Sequence, residues 1–364
     1  MNYIFGTGTM RTGGSLVLSI MEIDSKTQTL CEIFYFSRHI YKKYKKLNHN
    51  LTKFEIAHEF SLRLNYRNSI KISPKKIYNN LLKIQISNYD ILYQSLANIL
   101  LEKIKTKKKI INFVDYSNGE WRFINDFVKL NKKFKSFLII RDPRSVISSF
   151  KKLTFGKNFS YLNAIFNWID CAKYYLSFSK KFSNNKFLPL KFEDIHSNPH
   201  KNVKKICKFL NLPFNKKYFM VQNFKKIKDK NLLFSAHRKD KVYGFDEKRS
   251  DQWKNNLNDW EIALIEFICS KYMKKLGYKS CIKSNKNLFI RQGIKNLKKN
   301  ILLKKRLDYF LLHGKGTDLK MNDPSNPKNW GSKHFANKKF TDDPEYKSFV
   351  NEKRKINLLL KNFK

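Results

Sequence analysis

At 364 residues, with 41% hydrophobic and 15% aromatic side chains, the chain can bury one large α/β core and is too apolar to be disordered. Its formal net charge of +46 would suit a nucleic-acid partner, but only twelve of the 75 basic residues are arginine. The lysine excess is spread from end to end among Asn, Ile and Phe, as drift toward AT-rich codons would leave it, so no nucleic acid is expected. Five cysteines without a CxxC or a nearby His at ligand spacing argue against zinc and for a reducing, cytoplasmic setting. No run approaches the ~18 apolar residues of a membrane span.

In chain order, Asn2–Phe5 reads as a short buried strand, cut by glycines too soon for a signal peptide. A glycine loop to Ser15 follows, and Leu16–Ile23 opens a helix. Residues 33–109 are lysine-rich with apolar positions three and four apart, the helical spacing. Strands are expected at 110–114 and 137–140, each followed by a helix, then a helix over 159–182 and a strand over 187–190. Val203–Leu210 is amphipathic and stops at Asn211-Leu-Pro213. Alternating strands and helices predict an α/β fold, a P-loop-like, mainly parallel sheet flanked by helices. Residues 1–285 form the expected domain, and 286–364 a basic C-terminal extension or small subdomain. Ligands of such sheets sit beyond the carboxyl ends of the strands. Arg11, Asp115 and Arg141 are all expected just past strand ends, on one rim.

Two segments carry chemistry. Gly8-Thr-Met-Arg-Thr-Gly13-Gly14-Ser15 fits GxxxxGK[ST] except that Gly14 stands where the lysine belongs. Such a loop turns backbone amides at Gly13, Gly14 and Ser15 toward a phosphate or sulfate, and Arg11 supplies the missing positive charge. The missing lysine and the lack of an acidic Mg²⁺ motif disfavour ATP hydrolysis. In Arg141-Asp-Pro-Arg-Ser-Val-Ile-Ser-Ser149, an arginine at a strand end precedes a hydroxyl two turns into a helix. Arg11, Arg141 and Arg144 place three of the scarce arginines in these two segments, where a fixed fork suits anion oxygens.

Together these segments resemble the PAPS-dependent sulfotransferase family, especially its bacterial members and its carbohydrate- and tyrosine-modifying branches. Arg11-Thr-Gly-Gly-Ser15 resembles the RSGT[ST] loop for the 5′-phosphosulfate. Ile140-Arg-Asp-Pro-Arg-Ser-Val-Ile-Ser-Ser-Phe150 resembles the 3′-phosphate segment. Leu190-Lys-Phe-Glu-Asp-Ile195 with Asn198-Pro199 is similar to "YEDL…NP", and Lys208-Phe-Leu-Asn-Leu-Pro213 to "FLGLP". Trp253-Lys-Asn-Asn-Leu257 with Met273-Lys-Lys-Leu-Gly-Tyr278 is similar to the closing "W…L…M..LGY". Gly14 departs from the pattern, removing a hydroxyl from the cradle while Ser15 remains.

The resemblance implies 3′-phosphoadenylyl sulfate (PAPS) as co-substrate, no metal, and transfer to an acceptor hydroxyl, with a glycan or glycolipid the first expectation. It assigns the phosphosulfate to Arg11, Thr12, Gly13, Gly14 and Ser15, and the 3′-phosphate to Arg141 and Ser149. Lys248 and Arg249 are placed to close over that phosphate. Glu32, 21 residues after Arg11 in an acidic-aromatic context, resembles the catalytic glutamate of tyrosine- and trehalose-modifying relatives. Asp115 is the second candidate base. The competing readings are a non-catalytic polyanion-binding protein on the same fold and a P-loop kinase-like enzyme.

Overall fold

The computed structural model describes residues 1–66, 70, 72–104, 109–154, 159–216, 245 and 250–313. Lys248, Arg249 and residues 314–364 of the extension lie outside the described residues. The first half runs β1 (Asn2–Gly8), α1 (Gly14–Glu22), β2 (Thr27–Cys31), α2 (Phe36–His39), α3 (Asn50–Tyr66), α4 (Pro74–Leu82) and α5 (Tyr89–Ile104). Then come β3 (Asn112–Tyr116), α6 (Ile124–Leu130), β4 (Phe134–Ile140), α7 (Pro143–Thr154), α8 (Asn163–Lys181), β5 (Phe187–Lys191), α9 (Phe192–Ser197) and α10 (Pro199–Leu210). After residue 250 the described helices are α11 (Asp259–Lys275), α12 (Lys286–Lys298) and α13 (Ile301–His313).

The five strands form one parallel sheet in the order β2-β3-β1-β4-β5. β1 is central, between β3 and β4; the chain first builds β2 and β3 on one side of it and then crosses to build β4 and β5 on the other. The crevice where the strand order reverses therefore opens at the carboxyl end of β1. Period-two alternation splits the core in two. Tyr3, Phe5, Phe113 and Phe134 face an aromatic layer holding Tyr93, Phe123 and Phe127. Ile4, Val114, Tyr116 and Ile139 face the smaller layer under α1 and α10.

Two expectations need correction. The strand β2 is absent from the sequence reading because Thr27, Gln28 and Thr29 carry no apolar alternation. They are nevertheless buried, since Glu22 at the end of α1 accepts from Thr29 Oγ1 at 2.7 Å and Asn112 Nδ2 donates to Thr27 Oγ1 at 3.4 Å. Asp115 does not fall past a strand end. β3 continues to Tyr116, so parity turns Asp115 into the aromatic layer with 1% exposure.

Beyond residue 285, Leu297 of α12 and Leu303 and Leu307 of α13 are fully buried in the larger core cluster. At Gly293 the backbone of α12 comes so close to α11 that a Cβ there would lie 2.9 Å from Leu264 Cβ.

Candidate active site

The rim is assembled from the residues that follow each strand. After β1 the loop turns through Arg11 at φ 73° and Gly13 at φ 92°, and α1 starts at Gly14 with no side-chain cap and no acid in its first turn. The first amides of α1 are thus left to an anion, which the positive helix end also favours. Thr12 is buried and closes the loop on itself, its hydroxyl donating to the Thr9 carbonyl at 2.8 Å. Ser15 is partly exposed in the first turn of α1.

The second segment meets the first here. Arg11 Nε donates to Ser149 Oγ at 2.7 Å, across 138 positions of sequence, and an Arg141 guanidinium nitrogen donates to the Arg11 carbonyl at 3.2 Å. Phe192, the first residue of α9, is the wedge between them. Arg141 lies 4.0 Å over its ring, and a Cβ at Gly13 would come within 2.4 Å of the same ring. The Arg141 carbonyl accepts from Trp168 Nε1 at 2.7 Å, which fixes the chain where β4 ends.

Arg144 is not part of the rim. It is buried in ion pairs with Asp142 at 2.6 Å and Glu266 at 2.7 Å, and lies 4.1 Å over the Trp253 ring. Burial disfavours its cation, but the Asp142 bonds and the charges of Asp142 and Glu266 outweigh this and hold its pKa above the usual value. Glu193 is also structural: it accepts from the Asp142 amide at 2.8 Å and from Tyr278 Oη at 2.9 Å. Lys248 and Arg249 fall outside the described residues; Ser250, the next in sequence, is held through its carbonyl by Ser145 Oγ at 2.9 Å.

On the other side of β1, Glu32 directly follows β2 at φ 57°. Its amide donates to the Tyr116 carbonyl at 2.7 Å, and its Oε1 accepts from Asn118 Nδ2. Tyr116 Oη donates to Asn118 Oδ1 at 3.0 Å. The Tyr116 ring also explains Gly14, because a Cβ at Gly14 would come within 2.4 Å of Tyr116 Cζ. The loop lacks the usual hydroxyl here because a phenol from β3 takes the space. Nearby, Arg38 pairs with Glu120 through Nε at 2.7 Å and through a terminal nitrogen, and donates to the Asn118 carbonyl at 3.2 Å.

Asp115 has no such position. Its buried Oδ1 has no hydrogen-bond partner among the described residues, and burial, with the Glu120 charge adding to it, pushes its carboxyl well above the usual range. Sequence reasoning missed Phe192, Tyr116, Asn118 and the Arg38–Glu120 pair. Phe192 lay inside a quoted segment, but nothing in spacing distinguishes a wedge from a filler. Among the described residues no three His, Cys, Asp or Glu side chains gather as a metal site would require. No described helix is long and apolar enough to cross a membrane.

The sheet order, open helix start and converging arginines define an α/β fold with a P-loop-like anion cradle. The chain belongs to the Sulfotransferase family, whose model matches residues 3–216. Among solved structures it is similar to the sulfotransferase domain of the curacin biosynthetic pathway, at 18% identity and a TM-score of 0.51, covering 77% of this chain and 99% of that one. It is also similar to the sulfotransferase domain of the Synechococcus PCC 7002 olefin synthase, at 16% identity and a TM-score of 0.48, covering 76% and 95%. A retinol dehydratase solved with androsterone and the inactive cofactor PAP matches at 16% identity and a TM-score of 0.38, covering 78% and 82%. No curated protein matches the chain.

Proposed function

We propose that the protein transfers the sulfonyl group of PAPS to a hydroxyl of a glycan or glycolipid, in a cytoplasmic setting. The observation that carries the donor reading is the 2.7 Å contact of Arg11 with Ser149, which makes one anion site of the two motifs. The residues fit the donor: cations, a hydroxyl and uncapped amides converge, with no described acid among them. Arg11 and the amides of Gly13, Gly14 and Ser15 serve the phosphosulfate, and Arg141 with Ser149 the 3′-phosphate. Lys248 and Arg249 are assigned to the same phosphate on the resemblance alone.

In the reaction the acceptor oxygen bonds to sulfur as the bond from sulfur to the phosphate oxygen breaks. Adenosine 3′,5′-bisphosphate leaves with the electron pair, and the hydroxyl proton passes to the Glu32 carboxylate. Positioning and charge stabilisation carry most of the rate, as in phosphoryl transfer. Asp115, buried within β3, takes no part in proton transfer. The carbohydrate acceptor rests on the resemblance of the loop to that branch.

Calorimetry with adenosine 3′,5′-bisphosphate against adenosine 5′-phosphate tests the donor site. Loss of the charge-assisted contacts should weaken binding roughly 10- to 100-fold, and equal affinities would remove Arg141 and Ser149 from the site. Labelled PAPS offered to octyl glucoside, trehalose and a tyrosine peptide tests the acceptor class. Label on the peptide alone would overturn the carbohydrate reading.

A further inference from the structure

This inference rests on the reading of Glu32 as base and adds what holds it. Both backbones around Glu32 are fixed. Its own amide is bonded to the Tyr116 carbonyl, and the segment after β3 is tied to β1 by Ser117 N to the Gly6 carbonyl at 3.0 Å and Gly119 N to the Gly8 carbonyl at 2.9 Å. The Asn118 backbone between these ties also accepts from Arg38. What the backbone leaves open is which end of the Asn118 amide faces the carboxylate. The two ends are nearly the same size and opposite in polarity: Nδ2 donates to a carboxylate, while Oδ1 repels it.

The Glu32 carboxylate can only accept, so it takes Nδ2 and turns Oδ1 toward Tyr116, whose hydroxyl donates to it at 3.0 Å. Burial raises the phenol well above its ordinary pKa, so the proton that makes this bond is retained and the amide is held at both ends. The same phenol also touches the donor loop, where its ring lies against Gly14.

We infer that Tyr116 and Asn118 are positioning residues that hold the Glu32 carboxylate in register with the donor loop, so that Gly14 is kept small to admit the phenol that aims the base. Neither residue touches the reacting atoms. Their effect is on kcat through Glu32, and the donor site does not need them.

The test compares Tyr116→Phe with Asn118→Ala, each alone and in a Glu32→Gln background. Tyr116→Phe keeps the ring under Gly14 and removes only the hydroxyl, and Asn118→Ala guards against a variant that fails to fold. Turnover is followed as labelled sulfonyl leaving PAPS for octyl glucoside and for water, and donor affinity with adenosine 3′,5′-bisphosphate. Each single variant should lower kcat about 10-fold, and change donor affinity by less than about twofold. In the Glu32→Gln background the same change should cost less than about twofold more, because the group it aims is gone. If Glu32→Gln is impaired while both variants turn over like the parent, the inference fails and the base assignment stands. Equal losses in both backgrounds would show that Tyr116 acts elsewhere, which also overturns it. A fully active Glu32→Gln removes the base itself, and the inference with it.

Discussion

The two sides of the active rim are built on different principles. At the ends of β1 and β4 the rim is cationic: Arg11, Arg141 and Ser149 meet over uncapped amides, each group chosen for its charge or its donor geometry. At the ends of β2 and β3 it is a chain of neutral donors leading to one acid, Tyr116 to Asn118 to Glu32. In the proposed reaction, one side gives affinity for a polyanion and the other gives direction to a proton. A substitution on either side should therefore leave the signature of the other side unchanged.

Glu32→Gln should break this comparison first if it is wrong. Steady-state kinetics should show kcat reduced about 10²- to 10⁴-fold, the range for losing a general base, with the affinity for adenosine 3′,5′-bisphosphate unaltered by calorimetry. A parallel loss of donor affinity would show that the two sides are not separable. Arg141→Ala should give the mirror image: donor binding weaker by about 1.5–3 kcal/mol, with a smaller change in kcat at saturating PAPS. It also leaves the Phe192 ring without its cation, so Arg141→Lys, which lacks the fork, is expected to recover only part of the affinity.

A third test concerns where the domain ends. Deletion after residue 285 removes Leu297, Leu303 and Leu307, each worth about 1.5–3 kcal/mol as a buried side chain. Thermal denaturation should show a marked loss for that deletion. Donor binding should survive it at low temperature, since the donor residues that the structure describes precede residue 150.

Asp115→Asn should have the smallest effect, and an opposite sign. The folded-state carboxyl is raised by burial, so its contribution to stability is fully present below the unfolded value near ~3.9 and is lost as pH rises through the higher folded value. The variant should match the parent near pH 4 and melt about 2 °C higher at pH 8. Turnover should remain close to that of the parent, and a collapse of activity would return Asp115 to the catalytic group.

What could be read from the sequence follows the same division. The meeting of the Arg11 loop with Arg141 and Ser149 was legible because glycine, arginine and serine at fixed spacing have few other reasons to occur together, and the parallel α/β sheet followed from alternating apolar runs. The edge strand β2 was not, because its polar residues are buried by partners that only the fold supplies. Asp115 was misplaced by a two-residue difference in where β3 ends, enough to turn a rim residue into a core one. Tyr116 and Asn118 were passed over because their roles depend on which way a hydroxyl and an amide point, and periodicity carries no such information.

The close approach of Gly14 and Tyr116 also limits how this sequence can change. A threonine at position 14 would restore a loop hydroxyl, but its Cβ cannot coexist with a ring 2.4 Å away. Position 116 must lose its ring before position 14 can gain a side chain, and the intermediate carries a cavity against the loop. The two positions are therefore epistatic, and the order of mutation is set by sterics: a lineage that moves between these loops passes through that cavity-bearing form, unless both codons change together.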